Sequence, residues 1–237
     1  MIRCCALFLL LCIGCSSLGQ TATFSPLGVL IKPADKVEAP AEILAAIPKK
    51  VTVRLVKLTR LSSDGESVVI YDRGDQNYEP HTHIAVIRNG KRVADFSIIK
   101  LFEKQGVGDT YEFFLAAQFT TPDKQNAFIA AFRNIGDGSG TLFVLLINRQ
   151  GQYIVSWHKA ASQAQFRVRK DGGYQLWDSD EGDDCVWCAH HYEVSDYIWK
   201  NDTLFRRLHH DTKDALDPSQ FSETPIEIED ESSKSAP

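Results

Sequence analysis

Val51-Thr52-Val53-Arg54-Leu55-Val56-Lys57-Leu58 is the stretch that decides the fold class. Apolar and polar residues alternate from Val51 to Leu55, slip once, and alternate again to Leu58. Successive side chains of an extended chain point to opposite faces, so this is the pattern of a half-buried strand. The slip predicts a β-bulge at Leu55-Val56, where one extra residue restores the alternation.

The same period recurs downstream. Ser67 to Tyr71 follows a turn at Asp64-Gly65. Ile84 to Arg88 and Lys91 to Ile99 flank Asn89-Gly90, a pair that tolerates the positive φ angles of a type I′ hairpin. Thr110 to Phe119, Ala127 to Phe132, Thr141 to Asn148 and Gln152 to Trp157 continue the series, the last two joined across Arg149-Gln150-Gly151. Ala164 to Arg169, Tyr174 to Trp177, Tyr192 to Trp199 and Leu204 to Leu208 complete about twelve strands. Turn signals at Asp171-Gly172-Gly173 and Asn201-Asp202 separate the later ones. Short strands with tight turns and no intervening helices predict an all-β fold built as an antiparallel meander. A sandwich, a barrel and propeller-like blades all fit that pattern.

Before this β region, which spans residues 49–221, the chain reads differently. Residues 20–38 form an extended leader, with Pro26 and Pro33 blocking regular structure. Pro40 to Ala46 predicts a short helix with proline near its first position and Ile43, Leu44 and Ile47 on one side. Arg3 and the apolar run Ala6 to Ile13 have the shape of a secretory signal, followed by small residues at Ser17 and Gly19. Cleavage is expected before Gln20, leaving residues 1–19 as the signal peptide. Nothing else in the sequence is apolar over the 18 residues a spanning helix needs. At the other end, residues 222–237 are acidic and serine-rich, the composition of a disordered tail, with Ile226-Glu227-Ile228 as a short partner-binding strand in the alternative reading.

Ile13-Gly14-Cys15 resembles the lipobox of bacterial lipoproteins, although Cys12 stands where that family has Leu or another apolar residue. The resemblance implies cleavage after Gly14 and a lipid on Cys15, the one route to a membrane in this reading. Either way the expected location is outside the cytosol: periplasmic, secreted, or anchored at the cell envelope. The net charge is −5, one unit more negative once Arg3 is removed. Such a chain lacks the basic field that holds phosphate backbones, which argues against nucleic acid as a partner.

Export leaves Cys185 and Cys188 as the cysteines of the folded region. Their C-x-x-C spacing suits a disulfide in an oxidising compartment, a zinc site, or a redox-active thiol pair. His190 or His191 is near enough in sequence to be a third zinc ligand. His81 and His83 can complete a set, since residues i and i+2 of a strand share a face. Covalent haem needs histidine directly after the second cysteine, where Ala189 stands. Asp178, Asp180, Glu181, Asp183 and Asp184 surround Gly182 and offer hard oxygen ligands for Ca²⁺, or simply a solvated acidic loop. His158 is a candidate general base at a strand end. The sequence holds no G-x-S-x-G nucleophile elbow and no phosphate-cradling glycine loop before a helix.

Asn134-Ile135-Gly136-Asp137-Gly138-Ser139-Gly140, followed by the apolar Leu142-Phe143-Val144, resembles the loop-strand unit of FG-GAP and VCBS-type repeats of extracellular β-propellers. In those repeats several Asp residues bind calcium. Here Asp137 holds such a position and Thr141 occupies another. The resemblance implies a propeller-type blade.

These readings converge on an exported, non-catalytic β domain with a binding or structural role, its ligand and partner unspecified. One alternative is a zinc-dependent hydrolase using His81, His83, Cys185, Cys188 and one of His190 and His191. Another is a carbohydrate-binding module presenting Trp187, Tyr192, Tyr197, Trp199 and Phe205. Zn and Ca are the cofactors these sites would take.

Overall fold

Six strands form the middle layer of the computed structural model, and two of its inner strands are buried almost throughout. The structure describes residues 22–25, 28–32, 37–59, 65–74, 80–105, 111–135, 140–179, 188–217 and 224–229. The middle sheet comprises β1 (Ala22–Ser25), β2 (Gly28–Ile31), β7 (Tyr111–Thr120), β8 (Asn126–Asn134), β9 (Gly140–Arg149) and β10 (Gln152–Ser162). Their order is β1-β2-β7-β8-β9-β10, antiparallel throughout. On one side lies a meander of β3 (Val51–Thr59), β4 (Glu66–Gly74), β5 (Pro80–Arg88) and β6 (Lys91–Ser97). On the other lies a sheet ordered β14-β13-β12-β11-β15, from β11 (Gln165–Val168), β12 (Tyr174–Ser179), β13 (Tyr192–Lys200), β14 (Thr203–Asp211) and β15 (Ile226–Ile228). β15 runs parallel to β11, and the other pairings of that sheet are antiparallel.

The fold is all-β, and its three sheets stack as a sandwich with two cores. Leu55, Val68, Ile70, Ile84 and Val86 pack against Phe113, Phe128, Phe132, Leu142, Val144 and Leu146 of the middle sheet. From the opposite face of the same strands, Leu115, Phe119, Ile129, Phe143, Leu145 and Ile147 meet Phe166, Tyr174, Leu176, Tyr197 and Ile226. Ala127 to Phe132 and Thr141 to Ile147 are therefore buried at every position. Near-continuous apolar strands normally mark parallel sheets with both faces covered. Here an antiparallel sheet meets the same condition.

The structure departs from the sequence expectations in instructive places. The bulge falls at Arg54 rather than Leu55-Val56: Val53 pairs with Tyr71 and Leu55 with Ile70. The extra residue sets Arg54 on the same face as buried Leu55; Arg54 itself stays exposed, and its Nε donates to buried Asp72, which also accepts from Thr82 Oγ1 at 2.8 Å. In the leader, Gly28–Ile31 pairs with Ala116–Phe119. Prolines bar only the ladder positions they occupy, so the residues between them remain able to pair. Gly28 is needed there, because a Cβ would lie 2.5 Å from the Gln118 carbonyl oxygen. Helix α1 (Ala41–Ala46) forms after Pro40, with Ile43 and Ile47 packed on Val69, Tyr71, Ala85 and Ile87 of the outer meander. Leu44, expected on that side, points to solvent.

Strand β6 ends at Ser97 and the chain turns into helix α2 (Ile98–Phe102), which the strand expectation to Ile99 did not include. Ile98 and Phe102, one helical turn apart, both enter the first core. Within the acidic tail, Ile226–Ile228 pairs with Phe166–Val168 of its own chain and Ile226 is fully buried. Three two-residue turns have both central residues at positive φ: Asn89-Gly90, Gln150-Gly151 and Asn201-Asp202. This is the type I′ requirement, and it matches the right-handed twist of the strands they join. No helix among the described residues is long and apolar enough to cross a membrane.

Candidate functional site

His81 and His83 stand on the outward face of β5, away from the middle sheet. His83 pairs across the ladder with Tyr71 of β4, and the two rings stack at 5.2 Å with 11° between their planes. Asp95 of β6 accepts from Tyr71 Oη at 2.9 Å, from Arg92 Nη1 at 2.7 Å, and lies 2.8 Å from His83 Nδ1. Desolvation works to raise the Asp95 pKa, but hydrogen bonds from His83 and Tyr71, with the nearby cationic charge, hold it below the ordinary carboxylate value. Burial, reinforced by the Asp95 hydrogen bond, pushes Tyr71 up to about 12. An ionised carboxylate only accepts, so His83 Nδ1 carries the proton and the ring is fixed in orientation. A neutral imidazole held this way presents Nε2 as an acceptor. That is half of a general-base or metal-ligand arrangement.

The other half does not assemble. Cys188, His190 and His191 lie beside β13 in the opposite outer sheet. Cys185 is outside the described residues. His190 is buried, and its backbone exchanges hydrogen bonds of 3.0 and 2.8 Å with Leu216. His191 Nδ1 donates to the Thr212 carbonyl oxygen at 3.1 Å. Stacked sheets are about 10 Å apart, so two outer layers are separated by about 20 Å, whereas zinc bonds are about 2 Å long. His81 and His83 stand on β5, in one outer sheet, whereas the His190 segment precedes β13, in the other. Among the described residues no group of three or more His, Cys, Asp or Glu side chains could hold a metal ion.

Of the acidic loop, Asp178 is described. It accepts the Ser162 backbone N–H at 2.8 Å and lies 3.8 Å from Lys159 Nζ, joining β12 to β10. Asp180, Asp183 and Asp184 are outside the described residues, as are Trp187 and Gly136 to Ser139 of the glycine-rich loop. His158 is exposed on β10 with its ring against the edge of Phe102 at 5.2 Å. The aromatic run divides: Tyr192 and Tyr197 are buried and Trp199 packs against the second core, which leaves Phe205 exposed.

Sequence reasoning missed two features. The first is a buried node between layers. Glu66 of β4 accepts from Arg88 Nη2 of β5 at 3.2 Å and from the Tyr153 hydroxyl of β10, while Arg88 also donates to that hydroxyl. The second is the hairpin of β13 and β14. Phe205 to Asp211 are all exposed, so both faces of β14 are open. Ile198 and Phe205 are cross-strand partners, and Leu208 follows after a register shift that leaves Arg207 as the extra residue. These three side chains are 40, 44 and 58% exposed and share the outward face of the sheet. A run of Phe, Arg, Arg, Leu, His, His and Asp has no clean alternation, which is the one hint the sequence carried. No protein-family model, no curated protein and no solved structure matches the chain.

Proposed function

We propose that this chain is an exported, non-catalytic β protein that acts by binding, with the β13–β14 hairpin as its contact surface. One observation carries the reading: large apolar side chains at Ile198, Phe205 and Leu208 gather on one face of an edge hairpin. Clustered exposed apolar surface marks contact sites, whereas single exposed apolar residues such as Leu44 and Val93 are ordinary. The polar groups with chemical potential are spent on structure instead: Asp95 on three donors, and Glu66 and Asp72 on inter-strand and inter-sheet contacts. An oxidising compartment would let Cys188 form a disulfide. We assign Cys185 as its partner, a bond that closes the loop before β13.

A photo-crosslinking residue at position 208, in protein expressed with its own leader, tests this. A discrete cross-linked partner from Leu208, and none from Val93, also exposed but on the opposite layer, is the expected result. Identical labelling from both positions, or none from either, contradicts the reading.

A further inference from the structure

We infer that the β11 edge is a strand-binding groove, and that a second copy of this chain can fill it with its own tail by exchange of β15. This concerns the edge opposite the hairpin and does not rest on the hairpin reading. At the β14 edge, Thr212 N–H donates to the Tyr192 carbonyl at 2.9 Å. Antiparallel pairing alternates residue by residue, so the N–H groups of His209 and Asp211 point outward there. At the β11 edge the chain's own tail takes up the backbone groups. Phe166 N–H donates to the Pro225 carbonyl at 2.7 Å, and Glu229 N–H donates to the Val168 carbonyl at 3.0 Å. β15 is three residues long and parallel to β11. Upstream, the nearest described ladder contact is Leu216, whose backbone bonds to His190. A ladder this short, in the less stable parallel arrangement, opens at a lower free energy than the sealed strands of the middle sheet.

Side chains make the groove selective. Ile226 is fully buried in the second core. Ile228 passes Gly28, where a Cβ would stand 3.1 Å from its Cδ1, so the bare glycine leaves room for it. Glu227 lies on the other face of the strand, its Oε2 2.9 Å from Arg167 Nε. Glu229 Oε2 accepts the Lys170 N–H at 3.3 Å. The edge therefore takes an extended segment that alternates isoleucine with glutamate. A second copy supplies that segment residue for residue, and every contact made in cis is remade in trans. Exchange of an identical element needs no surface beyond the one already built. The tether opposes it: a chain's own tail competes at an effective concentration in the millimolar range, so the wild type exchanges only when concentrated.

The test reverses each end of the Arg167–Glu227 pair in a separate full-length chain. Both side chains are partly exposed, at 24 and 33%, so Arg167→Glu and Glu227→Lys leave the two cores untouched. In either variant alone the tail meets a like charge, in its own groove and in that of an identical copy. In an equal mixture, the groove of the Arg167→Glu chain meets the tail of the Glu227→Lys chain, and the reverse. Both contacts of the exchanged dimer then carry opposite charges. Sedimentation velocity should show a dimer in the mixture, half-formed at a concentration at least about tenfold below that needed by the wild type or by either variant alone. A mixture as monomeric as its components overturns the exchange, and so does equal dimerisation by either variant alone. A labelled peptide of residues 224–229 that binds the Glu227→Lys chain while the mixture stays monomeric would assign the groove to a strand from another protein and overturn the second copy.

Discussion

Replacing Leu145 and Leu146 with alanine, one at a time, asks whether the middle sheet is hidden on both faces. These neighbours on β9 point in opposite directions, Leu145 into the second core and Leu146 into the first, and both are 0% exposed. Each substitution removes buried methyl groups and leaves a cavity that close packing fills only in part. The cost is about 2–5 kcal/mol apiece. For a chain of this size about 1 kcal/mol shifts the melting temperature by about 2–4 °C, so each variant melts about 4–20 °C below the parent. Leu208→Ala, on a side chain 58% exposed, is the control, with a change within about 0.5 kcal/mol. Thermal melts followed by circular dichroism, with urea titrations for the free energies, read all three. A sheet with one wet face would spare one of the pair. A cost below about 0.5 kcal/mol for either leucine would refute the three-layer packing.

Two further outcomes follow from the polar nodes. Glu66→Gln should cost about 3 kcal/mol in urea unfolding, the lower end for breaking a buried ion pair, because the Arg88 side chain keeps 23% exposure. Adding Arg88→Met should recover most of that loss; a single-variant cost under about 1 kcal/mol would contradict the node's burial. Because folding lowers the Asp95 pKa, ionised Asp95 stabilises the folded state at pH above the ordinary value of 3.8, and that contribution is lost as pH falls through the lower folded value. Asp95→Asn should therefore flatten the stability curve below about pH 4, measured by urea midpoints. An unchanged acid slope would remove Asp95 from the coupling.

Strand positions were legible because local chemistry dictates them. Asn89-Gly90 accepts positive φ at both positions, and the strands meet there as read, although the first begins at Pro80, four residues before the expected Ile84, and the second ends at Ser97, just before α2. Layering was not legible, for a physical reason: β8 and β9 are covered on both faces, so alternation, the signal for which way a strand faces, vanishes from them. The tetrad around His83 shows how one residue alters a site. An unbroken hairpin about Asn89-Gly90 would set Asp95 opposite Ile84, facing the first core. The shift between Val86 and Ile87 leaves Val93 unpaired and sets Asp95 opposite Ala85, on the His83 face. No pattern in the sequence announces that bulge. Likewise Ile226-Glu227-Ile228 in an acidic tail read as disordered or as a strand for a partner, although it pairs with β11 of its own chain and Ile226 completes the second core.

Native-state hydrogen exchange tests the stacking of three sheets most directly. Amides of β8 and β9 between Phe128 and Ile147 should exchange only through global unfolding, while the outward amides of His209 and Asp211 exchange orders of magnitude faster. Protection in β9 no greater than at the β14 edge would mean the middle layer is not sealed, and the architecture described for this protein would be wrong.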